Sequence, residues 1–533
     1  MTQARPLFGV ETEYAITGLT HSGRPAPQDA LAARFLRLAR DELAFLPDEG
    51  GSGLFLQNGS RLYVDSGSHP ELATPECTHP WDVVRFVRAG DGLMARVADR
   101  LARSDAELRE VVLFRCNVDY GGTGATWGCH ESYLYRSEPE LLPQQLIPHL
   151  VSRVIYAGAG GFNPQSPGLE FTLSPRAVYL PHAISRDSTC SRGIFHTKDE
   201  PLAGGGYHRL HVICGESLCS EQALLLKVGT TALVVAMVDA GRRPGDGLGI
   251  AAPVDALRRF AGDPECKAQV ALGNGRQVSA LEIQRRYLEQ AETCHARGLL
   301  PAWAGSICRL WRATLRTLEG APGSVERTLD WAIKQALYAH WAGGRAQWEG
   351  LTHWTHVLTQ LRAALARTEY KDRTVTVDFV LSDTSPVANE VRQLTPFLAD
   401  KGLDWSGLQR FLSLRAQLLE VDTRFGQLGA GGVFAELDRR GRLRHRVLDS
   451  GQIQRALSEP PSAGRARLRG EWVRRLHCNG GVRYRCGWSG IWDCAEGRQL
   501  DLSDPFASEA TWGEWAAVPE TMADPGWTGT GVP

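Results

Sequence analysis

Lysine is nearly missing from this sequence. Of 59 basic residues in 533, only Lys198, Lys227, Lys267, Lys334, Lys371 and Lys401 are lysines. The plainest reading is a genome whose codons favour arginine; the functional alternative is avoidance of self-modification by a lysine-directed enzyme. An excess of either charge is also missing. The formal net charge is −1, which excludes a bulk nucleic-acid binder and predicts no nucleic-acid partner. The twelve cysteines include no CxxC pair. Cys478, Cys486 and Cys494 recur evenly, but at a spacing unlike that of zinc ligands, so all twelve read as reduced thiols. Residues 1–10 hold no secretory apolar region. The most apolar stretch, 223–239, carries Lys227 and is too short and interrupted to span a bilayer, so it reads as a buried helix. The expectation is a cytoplasmic protein with no membrane partner. The Gly-rich segment 120–133 carries neither GK[ST] nor the Rossmann fingerprint, so it is neither a P-loop nor a dinucleotide-binding turn.

What is present is a mixture of strands and helices, with the strands early. Residues 7–16 and 54–66 read as strands, and 29–45 between them as a helix with Leu31, Phe35, Leu38 and Leu43 on one side. A second amphipathic helix covers 81–101. Short strands follow at 111–118, 128–135 and 206–214. Helices then dominate, over 219–240, 279–297, 303–318 and 324–342. This order predicts an α+β fold with helices packed on a largely antiparallel sheet. Residues 344–405 are Trp-rich and partly helical, a candidate inserted subdomain within a catalytic unit spanning 1–457. Residues 458–470 read as a linker entering a small C-terminal domain that ends near 519. The Gly/Pro/Thr-rich stretch 520–533 reads as a loose tail.

Four clusters carry chemistry. In GVETEY (9–14), strand alternation places Glu11 and Glu13 on one face, where two carboxylates repel unless a cation lies between them. A solvated sheet edge would show the same pattern. In NGSRLYVDSGSHPE (58–71), Arg61, Tyr63 and Asp65 share a face opposite Leu62 and Val64, and the following turn brings in Glu71. Arginine offers a planar fork to phosphate, and carboxylates hold the metal that neutralises it. YGGTGATWGCHESY (120–133) is a Gly-rich turn leading to His130 and Glu131. SRGIFHTKDEP (191–201) and GYHRLHV (206–212) add Arg192, Arg209 and His211, which suit phosphate or metal, although a lone His in such a place is more often a satisfied core residue.

Together with LLKVGTTALV, SALEIQRRYLEQA, LDWAIKQAL and RARLRGEWVRR, these segments resemble the Pup ligase and Pup deamidase/depupylase family over most of the chain. The resemblance implies a glutamine-synthetase-like fold: a curved antiparallel sheet cradle packed with helices, plus a small C-terminal domain. It implies Mg²⁺ and ATP as cofactors, with Glu11, Tyr63 and Glu71 as metal ligands. It further implies Arg61 and Thr74 at ATP, Asp65 as catalytic base, and Trp488 against the nucleotide, with Trp492 as competitor. Glu13, His130, Arg192 and His211 lie in matched motifs and are expected near the metals and phosphates. The implied partners are a Pup-like small protein modifier and lysine-bearing target proteins.

The implied reaction is phosphorylation of the side-chain carboxylate of the modifier's C-terminal glutamate, then attack by a target lysine. The short 17–53 stretch and the GSHPELATPEC wording favour ligase over depupylase. A small-molecule carboxylate–amine ligase and an inactive adaptor are the remaining alternatives. The chain departs from the family pattern at Thr197-Lys198-Asp199-Glu200-Pro201, in the long 344–405 segment, and in VLFRCNVDY (112–120).

Overall fold

The computed structural model describes residues 5–65, 67–187, 191–197, 206–371, 373–477 and 483–514, with the backbone course alone for 345–350. The departure at 198–201 and the tail at 520–533 lie outside the described residues.

The fold is organised on a nine-stranded sheet. Its spatial order is His182–Ser185, Gly193–His196, His208–Val212, Cys129–Tyr135, Phe8–Glu13, Pro70–Ala73, Arg61–Val64, Leu54–Leu56 and Phe45–Pro47. Every pairing is antiparallel except that of the first two strands. The expected α+β architecture, with helices on an antiparallel sheet and a small C-terminal sheet unit, is therefore present.

Alternation decides which face is covered. Along Phe8–Glu13, Phe8, Val10 and Thr12 are buried while Gly9, Glu11 and Glu13 are half-buried. Phe8 and Val10 join a large apolar core with helices Pro80–Ser104, Leu142–Ser152, Glu221–Asp239 and Ala280–Ala296. The Glu221–Asp239 helix, read from sequence as buried, is buried along almost its whole length. Ser220 caps it by accepting from the Ala223 amide at 3.2 Å.

Several boundaries differ from the sequence reading, each for a local reason. The helix read at 29–45 ends at Glu42, and Phe45–Pro47 is a strand paired to Leu54–Leu56. Pro47 holds the residue before it extended, so the apolar run of 43–46 cannot stay helical. Residues 54–66 form two strands. Gly59, at φ 85°, turns the chain, and Asn58 ties the turn to the Ser60 amide and the Ala456 carbonyl. Residues 7–16 also divide, because Ala15–Thr20 leaves the large sheet to pair with Leu108–Phe114.

The 458–470 stretch does not stay a linker, since Gly464–Leu476 is a helix. Its Arg465 and Arg469 reach Glu76, which follows the Pro70–Ala73 strand. Four short strands, Tyr484–Cys486, Gly490–Asp493, Arg498–Asp501 and Trp512–Glu514, complete this C-terminal unit. In the 344–405 region, helices Arg345–Leu365 and Ala388–Asp400 pack with Gly407–Phe425 around Trp354, Leu361, Leu398 and Phe411. Asp422 fastens that bundle to the main body through Lys334 Nζ at 2.7 Å, Tyr120 Oη at 2.8 Å, and Tyr338.

Candidate active site

Strand register assembles an acidic cluster on the open face of the sheet. Glu13 lies opposite Glu71, Glu71 opposite Tyr63 on its other side, and Glu11 opposite His130. His211 reaches in from the next strand. Its Nε2 is 3.7 Å from Glu11 Oε2, and His130 Nδ1 is 3.9 Å from the same oxygen. His130 Nε2 lies 3.6 Å from Glu13 Oε1, while Glu13 Oε2 accepts from the Gly128 amide at 2.6 Å. Arg209 Nη2 donates to Glu11 Oε1 at 3.1 Å. Ligand atoms of Glu11, His130 and His211, and likewise of Glu13, Glu71 and His130, lie within 4.8 Å of one another.

The charges in this cluster do not balance. Burial opposes ionisation of Glu11, but His130, His211 and Arg209 outweigh it and hold the carboxyl well below the usual range. Glu71 goes the other way: burial, then the charges of Glu11 and Glu13, push its carboxyl up, and the Tyr63 hydroxyl offsets only part of that. Tyr63 is itself pushed up, by burial and then by Glu11 and Glu71. A pocket that strains to hold several carboxylates ionised fits a hard divalent cation, which takes oxygen ligands and removes the repulsion. Glu11, Glu13, Glu71, Tyr63 and His130 offer the donors.

Asp65 stands at the end of the Arg61–Val64 strand. Its Oδ1 accepts from the amides of Gly67 at 2.8 Å and His69 at 2.7 Å, and its Oδ2 lies 3.1 Å from His69 Nδ1. Burial raises this carboxyl, but the His69 ring, then the backbone amides of His69 and Gly67, lower it further. Asp65 is therefore an ionised acceptor near neutral pH. The His69 ring packs edge-on to Trp127 with centroids 5.4 Å apart. Sequence reasoning gave His69 and Trp127 no role. The available signal was a histidine four residues after the Asp, in the same turn.

Beside the cluster, a cleft is lined by Val10, Thr74, Arg209 and Trp488. Trp492 does not line it; it is buried in the C-terminal sheet. The buried Arg469 guanidinium lies over the Trp488 ring at 4.7 Å. Thr74 Oγ1 accepts from the Val10 amide at 3.1 Å, stapling the floor of the cleft. Arg61 pairs with Asp48 at 2.6 Å and lies 4.3 Å over the Tyr63 ring. Arg192 contacts Thr126 Oγ1 on the Gly-rich turn. The fold thus brings Glu11, Glu13, Tyr63, Glu71, His130 and His211 into one cluster. Asp65, Arg61 and Thr74 border it, and Arg192 lies at the Gly-rich turn.

The chain matches the sequence profile of the Pup-ligase protein family over residues 6–352 and 342–492. It is 34% identical over 518 residues to a Pup–protein ligase of Acidimicrobium ferrooxidans, covering 95% of this chain and 97% of that protein. A Pup–protein ligase of Kineococcus radiotolerans is 39% identical over 342 residues, 62% of this chain and 73% of that one. Among solved structures, the complex of the prokaryotic ubiquitin-like protein Pup with its ligase PafA superimposes with a TM-score of 0.70 at 27% identity, covering 95% of this chain and 90% of that chain. The Pup ligase PafA in complex with ADP gives 0.65 at 27% identity, covering 91% and 92%.

Proposed function

This chain belongs to the Pup-ligase family, and from that membership we propose that it joins a Pup-like modifier to target lysines at the expense of ATP. The observation that carries the reading is the acidic cluster with the ionised Asp65 beside it, next to a cleft edged by Trp488. Glu11, Glu13, Tyr63, Glu71 and His130 would hold Mg²⁺, with His211 as a further neighbour of Glu11. When bound, the cation neutralises phosphate charge and the repulsion among these carboxylates.

In the first step, the γ-phosphoryl group of ATP passes to the side-chain carboxylate of the modifier's C-terminal glutamate, leaving ADP and an acyl phosphate. Arg209, held on Glu11, supplies a cation at that edge of the cleft. Arg61 and Thr74 contribute to the ATP side, and Arg192 to the phosphate side. Trp488 offers the nucleotide an aromatic wall. In the second step, the lysine amine attacks the acyl carbon, phosphate leaves, and Asp65 accepts the amine proton. An unperturbed lysine has a pKa of about 10.4, so near neutral pH it needs such a base. His69 holds the Asp65 carboxylate through both oxygens, its amide on Oδ1 at 2.7 Å and its ring Nδ1 3.1 Å from Oδ2. We place the activity in the cytoplasm, where the cysteines, free in all ten described cases, would stay reduced.

The test is incubation with ATP, a modifier ending in glutamate, and a lysine-bearing protein. A conjugate should form with one ADP per bond, and hydroxylamine should divert the intermediate to a hydroxamate. Cleavage of preformed conjugate without stoichiometric ADP would replace this reading with the depupylase one.

A further inference from the structure

Behind the acidic cluster lies a cation that the reaction above does not use. Arg176, 2% exposed, enters from the 3₁₀ turn Pro175–Tyr179. Among the described residues its guanidinium makes only long contacts, Nη1 to the Gly215 carbonyl at 3.3 Å and Nη2 to the Ile213 carbonyl at 3.4 Å. Its Nε is buried with no hydrogen-bond partner among the described residues. No carboxylate among the described residues forms an ion pair with it. A buried guanidinium left this way costs stability, and arginine does not escape by deprotonating.

The backbone around it is built to keep it there. Glu216 clasps the turn, taking the Arg176 amide at 3.0 Å, the Ser174 hydroxyl at 2.7 Å and the Ala159 amide at 2.8 Å. Gly128 is the point of contact with the cluster. A Cβ there would collide with Arg176 Nη1 and come within 2.7 Å of His130 Nε2. The Gly128 amide is the donor to Glu13. After burial, the charge that most affects the Arg176 guanidinium is that of Glu13, followed by the like charge of Arg192.

We propose that Arg176 is a positioning residue that sets the charge of the active site from behind, competing with the divalent cation for the Glu13 edge and favouring the nucleotide phosphates. This rests on the metal-and-ATP reading of the cluster. Its consequence is a pair of effects with opposite signs. Loss of the positive charge should tighten metal and weaken nucleotide, because the cation is attracted by what repels the phosphates. General damage to the site would weaken both.

The experiment is calorimetric titration of the full chain with Mn²⁺ alone, then with ADP in the presence of metal, for wild type, Arg176→Met and Arg176→Lys. Arg176→Met should bind Mn²⁺ about fivefold or more tighter and ADP about fivefold or more weaker. Arg176→Lys should stay near wild type in both. If Arg176→Met does not fold, Arg176→Gln retains donors for the Ile213 and Gly215 carbonyls and carries the same comparison. Losses of both ligands together, or unchanged affinities, would overturn the proposal. If wild type itself bound no Mn²⁺, the metal reading of the cluster would fall instead.

Discussion

His130 and Glu131 are neighbours in one strand and face opposite kinds of charge cluster. Glu131 points into the core, fully buried, and is saturated there. Arg153 binds it through two nitrogens at 2.8 and 2.6 Å, and the Tyr133 hydroxyl donates at 2.6 Å. Lys227 Nζ lies 3.6 Å away while donating to the carbonyls of Cys129 and Glu216. The Glu131 carboxyl is accordingly lowered: burial raises it, but Arg153 and Lys227 outweigh that. His130 points the other way, into a group where Glu71 is raised by burial and then by the charges of Glu11 and Glu13, which the Tyr63 hydroxyl offsets only in part. One face of the strand carries a carboxylate paired by Arg153 and Lys227, while on the other Arg209 pairs with Glu11 and Glu71 sits among the like charges of Glu11 and Glu13. Buried charges that satisfy one another serve the fold, whereas an unbalanced set marks a binding site.

Removing the proposed base is expected to have the largest effect. Asp65→Asn should slow conjugation by about 10²–10⁴-fold while hydroxamate still accumulates, because only the lysine step needs the acceptor. A wild-type conjugation rate would move the role to another group, and loss of hydroxamate would make Asp65 part of the phosphoryl-transfer site.

The finished network should respond in stability. Lys227→Met or Glu131→Gln leaves buried charge uncompensated and should cost about 3–5 kcal/mol in urea unfolding. A cost under about 1 kcal/mol would mean that this network is no more essential than a surface pair.

Acid should act through a third cluster, the joint between the sheet and the C-terminal helix. Burial opposes ionisation of Glu76, but Arg469 and then Arg465 bring its carboxyl down from 4.5 to about 2. A depressed carboxyl gives stability that is complete above the unfolded value and lost as pH falls through the folded one. Unfolding followed from pH 5 downwards should therefore show a steep loss between 4.5 and about 2, and Glu76→Gln should flatten that limb. An identical slope in the variant would remove Glu76 from the account.

The smallest effect concerns the cleft wall. Trp488→Ala should raise the KM for ATP by about tenfold through lost base–aromatic contact. Trp492→Ala should lower Tm with little change in KM, since Trp492 is buried in the C-terminal sheet. The reverse pattern would exchange the two assignments.

Much of the cluster was legible because strand alternation has a period of two. Glu11 with Glu13, and Tyr63 with Arg61, follow from parity alone, and register then brings Glu71 between Tyr63 and Glu13. What parity does not carry is the partner of each charge. The pairing of Arg61 with Asp48, thirteen residues upstream, is one such partner that alternation does not carry. Arg176 and Glu216 gave no signal, because their meaning depends on a glycine 48 positions before Arg176 leaving room for a guanidinium. The helix overrun at 43–45 has a simpler cause: apolar residues suit either state, and Pro47 settles which.

The comparison between the two faces of the strand is tested most directly by following Tm against Mg²⁺ concentration for wild type, Glu71→Gln and Glu131→Gln, without nucleotide. A ligand that binds only the folded state raises stability by mass action. Wild type should rise with Mg²⁺. Glu71→Gln should start higher in the absence of metal, since the repulsion from Glu11 and Glu13 is relieved, and then respond little to Mg²⁺. Glu131→Gln should start lower and still rise. A flat wild-type curve, or a Glu71→Gln variant that starts lower and rises as wild type does, would contradict the claim that this face of the sheet awaits a cation.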